Sequence, residues 1–145
     1  MTPEEFKGAV QGAIAEWQTT FESLAGGIPR GALPVFYENG PEADESAVGP
    51  IWVDVEFRFY SGHLTEVGSA TNRHTGVIAI SVYTKRGEGT VASEAVLRSI
   101  TGLLKRRRWG GDAVTLGYER TTPPPNFFGW HRSGAMVSFY CTEKE

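Results

Sequence analysis

Ile51-Trp52-Val53-Asp54-Val55-Glu56-Phe57-Arg58-Phe59-Tyr60 decides the fold. Ile51, Val53, Val55, Phe57 and Phe59 alternate with Trp52, Asp54, Glu56, Arg58 and Tyr60, and a repeat of two is the repeat of a β-strand. One face is wholly apolar and needs a cover; the other mixes charges with an aromatic at each end. Antiparallel-rich sheets are built this way, with one packed face and one free face. Two helical stretches can supply the cover. Thr2-Pro3-Glu4-Glu5 sets a threonine N-cap, a proline at the first helical position and a glutamate able to bond back to the cap. Phe6, Val10, Ile14, Trp17, Phe21 and Leu24 then recur at steps of three and four, giving one apolar stripe that runs until Gly26-Gly27.

The second helix is predicted after the turn Lys85-Arg86-Gly87-Glu88-Gly89, capped by Thr90 or Ser93 and buried through Val96, Leu97, Ile100, Leu103 and Leu104. Lys105-Arg106-Arg107-Arg108 would fill its last turn, with Gly110-Gly111 as the stop. Four further strands are expected. Leu33 to Glu38 is short, and Pro34, which has no amide hydrogen, suits an edge or a strand start. Val77 to Thr84 places Ile78, Ile80 and Val82 on one face, and the polar stretch from Ser61 to His74 before it reads as a connection too long for a tight hairpin. Val114, Leu116 and Tyr118 alternate with Thr115, Gly117 and Glu119. Arg132 to Thr142 sets Ala135, Val137, Phe139 and Cys141 against Met136, Ser138 and Tyr140. The expectation is one α+β domain over residues 1–145, in the order α-β-β-β-α-β-β, with a mixed, mainly antiparallel five-stranded sheet and both helices on one face.

A formal charge of −3 argues against general affinity for nucleic acid, so a basic surface can only arise by clustering. A single cysteine, Cys141, has no partner within the chain for a disulfide and suits a reducing compartment. The opening Met1-Thr2-Pro3-Glu4-Glu5 lacks the features of a signal peptide, and no apolar run approaches the roughly 20 residues that span a bilayer; no membrane association is expected.

Catalytic and ligand patterns are weak. Gly87-Glu88-Gly89 lies between a strand and a helix, as a phosphate cradle would, but a third glycine is missing and Glu88 repels anions. His63, His74 and His131 lack ligand spacing and read as solvated loop residues, so neither metal nor cofactor is expected. Cys141 belongs to the inward face of its strand, where burial suppresses thiol reactivity. Asp54 and Glu56 share a strand face with Arg58, and nothing there would split their pKa values as an acid/base pair requires. The chain is therefore expected not to be an enzyme.

What remains points to contact with other proteins. The face carrying Trp52, Asp54, Glu56 and Arg58 either meets solvent or a neighbouring subunit, where mixed charges set register. The basic run, with Arg106 and Arg107 at its centre, either offsets a helix dipole, meets an acidic neighbour or touches DNA phosphates. Phe127-Phe128-Gly129-Trp130, behind Pro123-Pro124-Pro125, either folds back on the core or anchors a partner.

With these segments placed, the chain resembles the tail terminator-like proteins of long-tailed bacteriophages, the family related to the lambda-type tail terminator. The helix from Pro3 to Leu24 carries the likeness first, then Val35-Phe36-Tyr37-Glu38-Asn39 with the acidic, Pro-containing loop after it. Pro50-Ile51-Trp52-Val53-Asp54-Val55 and Arg73-His74-Thr75-Gly76-Val77-Ile78 follow. Gly87-Glu88-Gly89-Thr90 and Val137-Ser138-Phe139-Tyr140 complete an ordered set spanning nearly the whole chain. The resemblance implies a structural virion protein, assembled in the cytoplasm of the bacterial host and located in the phage or prophage tail. It implies a homo-hexameric ring that caps the tail tube, ends its polymerisation and offers the head-tail joining surface. The implied partners are further copies, the tail tube protein and the head-tail connector protein, with DNA only as cargo passing through the lumen. A head-completion or neck protein of the same virion is the alternative, and a small α+β ligand-binding module a more distant one.

Overall fold

A computed structural model of the chain describes residues 1–24, 33–37, 51–64, 71–85, 91–110, 113–121 and 130–144. The element order is α1 (Pro3–Leu24), β1 (Val35–Tyr37), β2 (Ile51–Leu64), β3 (Thr71–Lys85), α2 (Val91–Leu104), β4 (Ala113–Thr121) and β5 (Trp130–Lys144). The strands form one sheet in the order β1-β2-β3-β5-β4. Only β1 runs parallel to its neighbour β2; every other pairing is antiparallel. The fold is α+β, as the alternation in β2 requires.

Both helices cover the face formed by Val53, Val55 and Phe57 of β2, Ile78, Ile80 and Val82 of β3, and Ala135, Val137 and Phe139 of β5. The start of α1 is set as its sequence dictates: Glu5 donates its backbone N–H to Thr2 Oγ1 at 3.1 Å. Its Phe6, Val10 and Ile14 are fully buried, whereas the side chains of Phe21 and Leu24 lie outside the described residues. Phe6 stacks on Phe139 at 4.5 Å and meets Phe57 and Trp109 edge-on at 6.4 and 6.3 Å. Trp17 joins the helices, donating its indole N–H to Ser99 Oγ at 2.8 Å. In α2, Val96, Leu97, Ile100 and Leu104 are buried and Leu103 partly so. Helix α2 begins at Val91, so Ser93 lies inside it, buried and bonded by Ser133 Oγ at 3.3 Å, and is no cap.

Four expectations are corrected. The stretch from Ser61 to His74 is not a loop: β2 and β3 continue as paired strands to Leu64 and from Thr71, with a register shift between Phe59 and Ser61. These arms carry polar residues because they run on past the helical cover. The basic run is not helical, since α2 ends at Leu104 and holds no basic residue in its last turn. In β4, Ala113 and Thr115 are the buried residues, not Leu116 and Tyr118, which are 45% and 38% exposed. Thr115 pairs with Phe139 and Tyr118 with Val137, so one extra residue sits in β4 and shifts the alternation. Finally, His74 is a strand residue, its Nε2 2.9 Å from Glu143 Oε2 across the β3–β5 pairing, and His131 lies in β5.

Gly76 is required by a close approach. It pairs with Phe59 on one side and Phe139 on the other. A Cβ there would collide with the Arg58 carbonyl oxygen and press on Phe139 Cζ at 2.9 Å.

Candidate interaction surface

The end of α2 and the start of β4 form one structural unit. Lys105 makes the last helical bond, to the Thr101 carbonyl at 2.9 Å, and Arg106 then takes a left-handed conformation with φ of 51°. That conformation directs the chain back along β4. Arg106 N–H bonds the Leu116 carbonyl at 3.0 Å, the Arg107 carbonyl accepts Thr115 N–H at 2.8 Å, and Trp109 N–H bonds the Ala113 carbonyl at 2.9 Å. Arg108 bridges Val114 in antiparallel sense. The basic run is thus an extended segment laid on the outer edge of the sheet.

Thr115 fixes this arrangement. It is fully buried, and its hydroxyl accepts from Trp109 Nε1 at 3.0 Å and from Arg107 N–H at 3.2 Å. The same hydroxyl donates to the carbonyls of Leu104 and Arg107. A hydroxyl offers one hydrogen and two lone pairs, so Thr115 is saturated. Leu104 ends α2, and its carbonyl belongs to the set that a helix leaves without internal partners. A neutral hydroxyl therefore satisfies it, and the four cations are not needed for the helix end.

Lys105, Arg106, Arg107 and Arg108 are all exposed, and so is every residue from Leu116 to Arg120. The Arg107 guanidinium lies 4.2 Å from the centre of the Trp109 ring, and Lys105 Nζ is 5.4 Å from that of Tyr118. The basic segment pairs with β4 only as far as Leu116. Among the described residues no backbone bond reaches the outer edge of β4 from Gly117 onward. A strip of unpaired edge, exposed Leu116 and Tyr118, and four cations therefore lie side by side.

Candidates on the free face of β2 fare differently. Trp52 and Trp130 are each only 6% exposed. Trp52 stacks on Tyr83 at 4.1 Å and 11°, and meets Trp130 and Phe36 edge-on at 6.1 and 5.6 Å. A strand repeat tells which face a residue occupies but not what else stands there, and here aromatics from β1, β3 and β5 converge in a second, smaller cluster. Both tryptophans pack within their own chain, so neither offers a free anchor. Phe127 and Phe128 lie outside the described residues. Asp54 and Glu56 are half-buried and Arg58 exposed; Arg58 Nη2 bonds Glu56 Oε2 at 3.1 Å, and this carboxylate raises the guanidinium pKa above its ordinary value. Strands β3 and β5 stand between this group and β4, so the structure does not bring it together with Arg106 and Arg107.

A cleft of about 420 Å³ opens where β4 ends beside β5, lined by Glu94, Arg120, Thr121, His131, Arg132, Ser133 and Gly134. Arg120 pairs with Glu94 there, and Arg132 Nε bonds Ser81 Oγ at 2.9 Å. No residue pattern announced it, because its lining comes from α2 and two strands brought together only by the fold. Among the described residues no group of three or more His, Cys, Asp or Glu could hold a metal ion. No helix of the described residues is long and apolar enough to cross a membrane.

No family model and no curated protein matches the chain. Among solved structures 24 chains match. One of them aligns over 96% of this chain and 96% of its own, with a TM-score of 0.60 at 12% identity. Identity that low shows a shared fold alone.

Proposed function

We propose that the chain is a structural phage protein that assembles as a ring on the tail tube, ends tube growth and presents the surface for head joining. The observation that carries this reading is the ordered set of segments resembling the tail terminator-like family, which spans nearly the whole chain. The outer edge from Lys105 to Arg120 supports it as well, since exposed cations, large apolar side chains and an unpaired strand edge together suit protein contact. Adding the purified protein to a lysate of phage lacking its terminator tests the reading. Overlong tubes should give way to tails of uniform length joined to heads; overlong tubes that persist would overturn it. Binding to empty heads in preference to tubes would assign the chain to the neck. The cleft beside Arg120 and Arg132 favours a ligand-binding module, but it ranks second because Glu94 and Ser81 already engage those arginines.

A further inference from the structure

We infer that the outer edge of β4, with the basic segment Lys105 to Arg108 laid upon it, docks the acidic segment between β1 and β2 of a second copy of this chain. The inference rests on the ring reading for the expectation of self-assembly, and on the following observations for the surfaces used.

The two segments leave opposite sides of the sheet. The basic segment lies outside β4, at one end of the order β1-β2-β3-β5-β4, while the chain between Tyr37 and Ile51 is tied to β1 and β2 at the other. Four strand spacings, roughly 19 Å, separate the outermost strands. Residues 38–50 hold Glu38, Glu42, Asp44 and Glu45 and neither Lys nor Arg. Against them stand Lys105, Arg106, Arg107 and Arg108, exposed and without a carboxylate in any ion pair among the described residues. The charges of the two segments are thus equal in number and opposite in sign.

The basic edge offers more than charge. Beyond Leu116 the β4 backbone has free bonding capacity, and exposed edges of this kind accept an added extended segment. Leu116 and Tyr118 add apolar area beside it. The extra residue in β4 and the charges of Glu119 and Arg120 restrain indiscriminate pairing, as protected edges do. Selection by the neighbouring cations then favours an acidic occupant over any other strand. A contact between unlike surfaces on opposite sides of a subunit is head-to-tail, and head-to-tail contacts that close give cyclic assemblies.

A charge swap in the full chain tests this. Lys105→Glu with Arg108→Glu leaves Arg106 and its backbone conformation alone, as well as Arg107 on the Trp109 ring; Glu42→Lys with Asp44→Lys reverses the other partner. Each pair should weaken self-association at least tenfold at low ionic strength, by sedimentation and native mass spectrometry. All four changes in one chain should restore it to within about threefold, and the losses should shrink in high salt as charges are screened. Association indifferent to either pair, loss without recovery in the four-fold variant, or a wild-type chain that never self-associates would each overturn the inference. No phage component is involved, so the outcome is separable from tail termination. A chain that assembles through this edge yet leaves tubes overlong defeats the terminator reading alone, and a chain that terminates tails but ignores the swap defeats this one alone.

Discussion

Replacing Thr115 by valine keeps the shape of a buried side chain and removes its hydroxyl. Three groups lose a partner: the Leu104 carbonyl at the end of α2, Trp109 Nε1 and the Arg107 backbone N–H. A buried polar group left unsatisfied costs about 1–3 kcal/mol. Trp109 Nε1 and the Leu104 carbonyl bear that cost, whereas Arg107 N–H is only part-buried and can reach water. The added methyl returns a part of the loss, because apolar burial contributes about 0.8 kcal/mol per carbon. The net expectation is a loss of about 2–4 kcal/mol. For a chain of this length each kcal/mol lowers the thermal midpoint by roughly 2–4 °C, so the midpoint should fall by about 6–12 °C. Differential scanning calorimetry reads the midpoint, and urea unfolding reads the free energy. Thr115→Ser retains the hydroxyl and is the control; it should lose only about 1 kcal/mol for its missing methyl. A valine variant as stable as the serine variant would refute the role given to the hydroxyl and, with it, this account of how α2 ends.

Arg106→Gly should leave stability unchanged or raise it by up to about 1 kcal/mol, since the left-handed backbone penalises a side chain more than glycine's freedom does; Arg106→Val should destabilise, and urea midpoints separate the two. Gly76→Ala should cost about 2–4 kcal/mol, as the new Cβ displaces the Phe139 ring and loosens its contacts with Phe6 and Phe59; a urea midpoint near wild type would show that the strand can yield. Cys141 is fully buried and its thiol pKa is raised, first by desolvation and then by Glu143 and Glu4 outweighing the N-terminal ammonium. The folded state therefore keeps a proton that the unfolded state gives up above about pH 8.5, so stability is complete below that value and falls as pH rises through it. The alkaline decline in thermal midpoint should be shallower in Cys141→Ala, and an identical slope would remove Cys141 from the explanation.

Features set by neighbours a few residues away were legible. The Thr2 cap, the stripe from Phe6 to Trp17 and the alternation of β2 each depend on side chains within a turn or along one strand, and each is found where the sequence put it. Features set by distant residues were not. Lysine and arginine are good helix formers, so Lys105 to Arg108 carries no local signal that α2 ends at Leu104. Its end is instead fixed by a hydroxyl 11 residues beyond Leu104 and by pairing with a strand not yet formed at that point of the chain. In β4 the single extra residue reverses the alternation, so a strict repeat of two assigns Leu116 and Tyr118 to the wrong environment.

The same distinction governs the candidate surface. Trp52 and Trp130 look alike in sequence to the exposed anchors of an interface, because each is a large aromatic on a polar face or beside a loop. Their burial depends on Tyr83 and Phe36, which belong to other strands and meet them only when β1, β3 and β5 flank β2 in register. Large aromatics that find one another within a chain are withdrawn from contact with its partners. Cations rarely find one another, and a run of four can only be neutralised by carboxylates from elsewhere. The described fold pairs Glu56, Glu94 and Glu143 with Arg58, Arg120 and His74, and none of these carboxylates reaches Lys105 to Arg108. The surface by which copies of this chain would recognise one another is thus better sought in the charges the fold leaves unmatched at its β4 edge than in its aromatic residues.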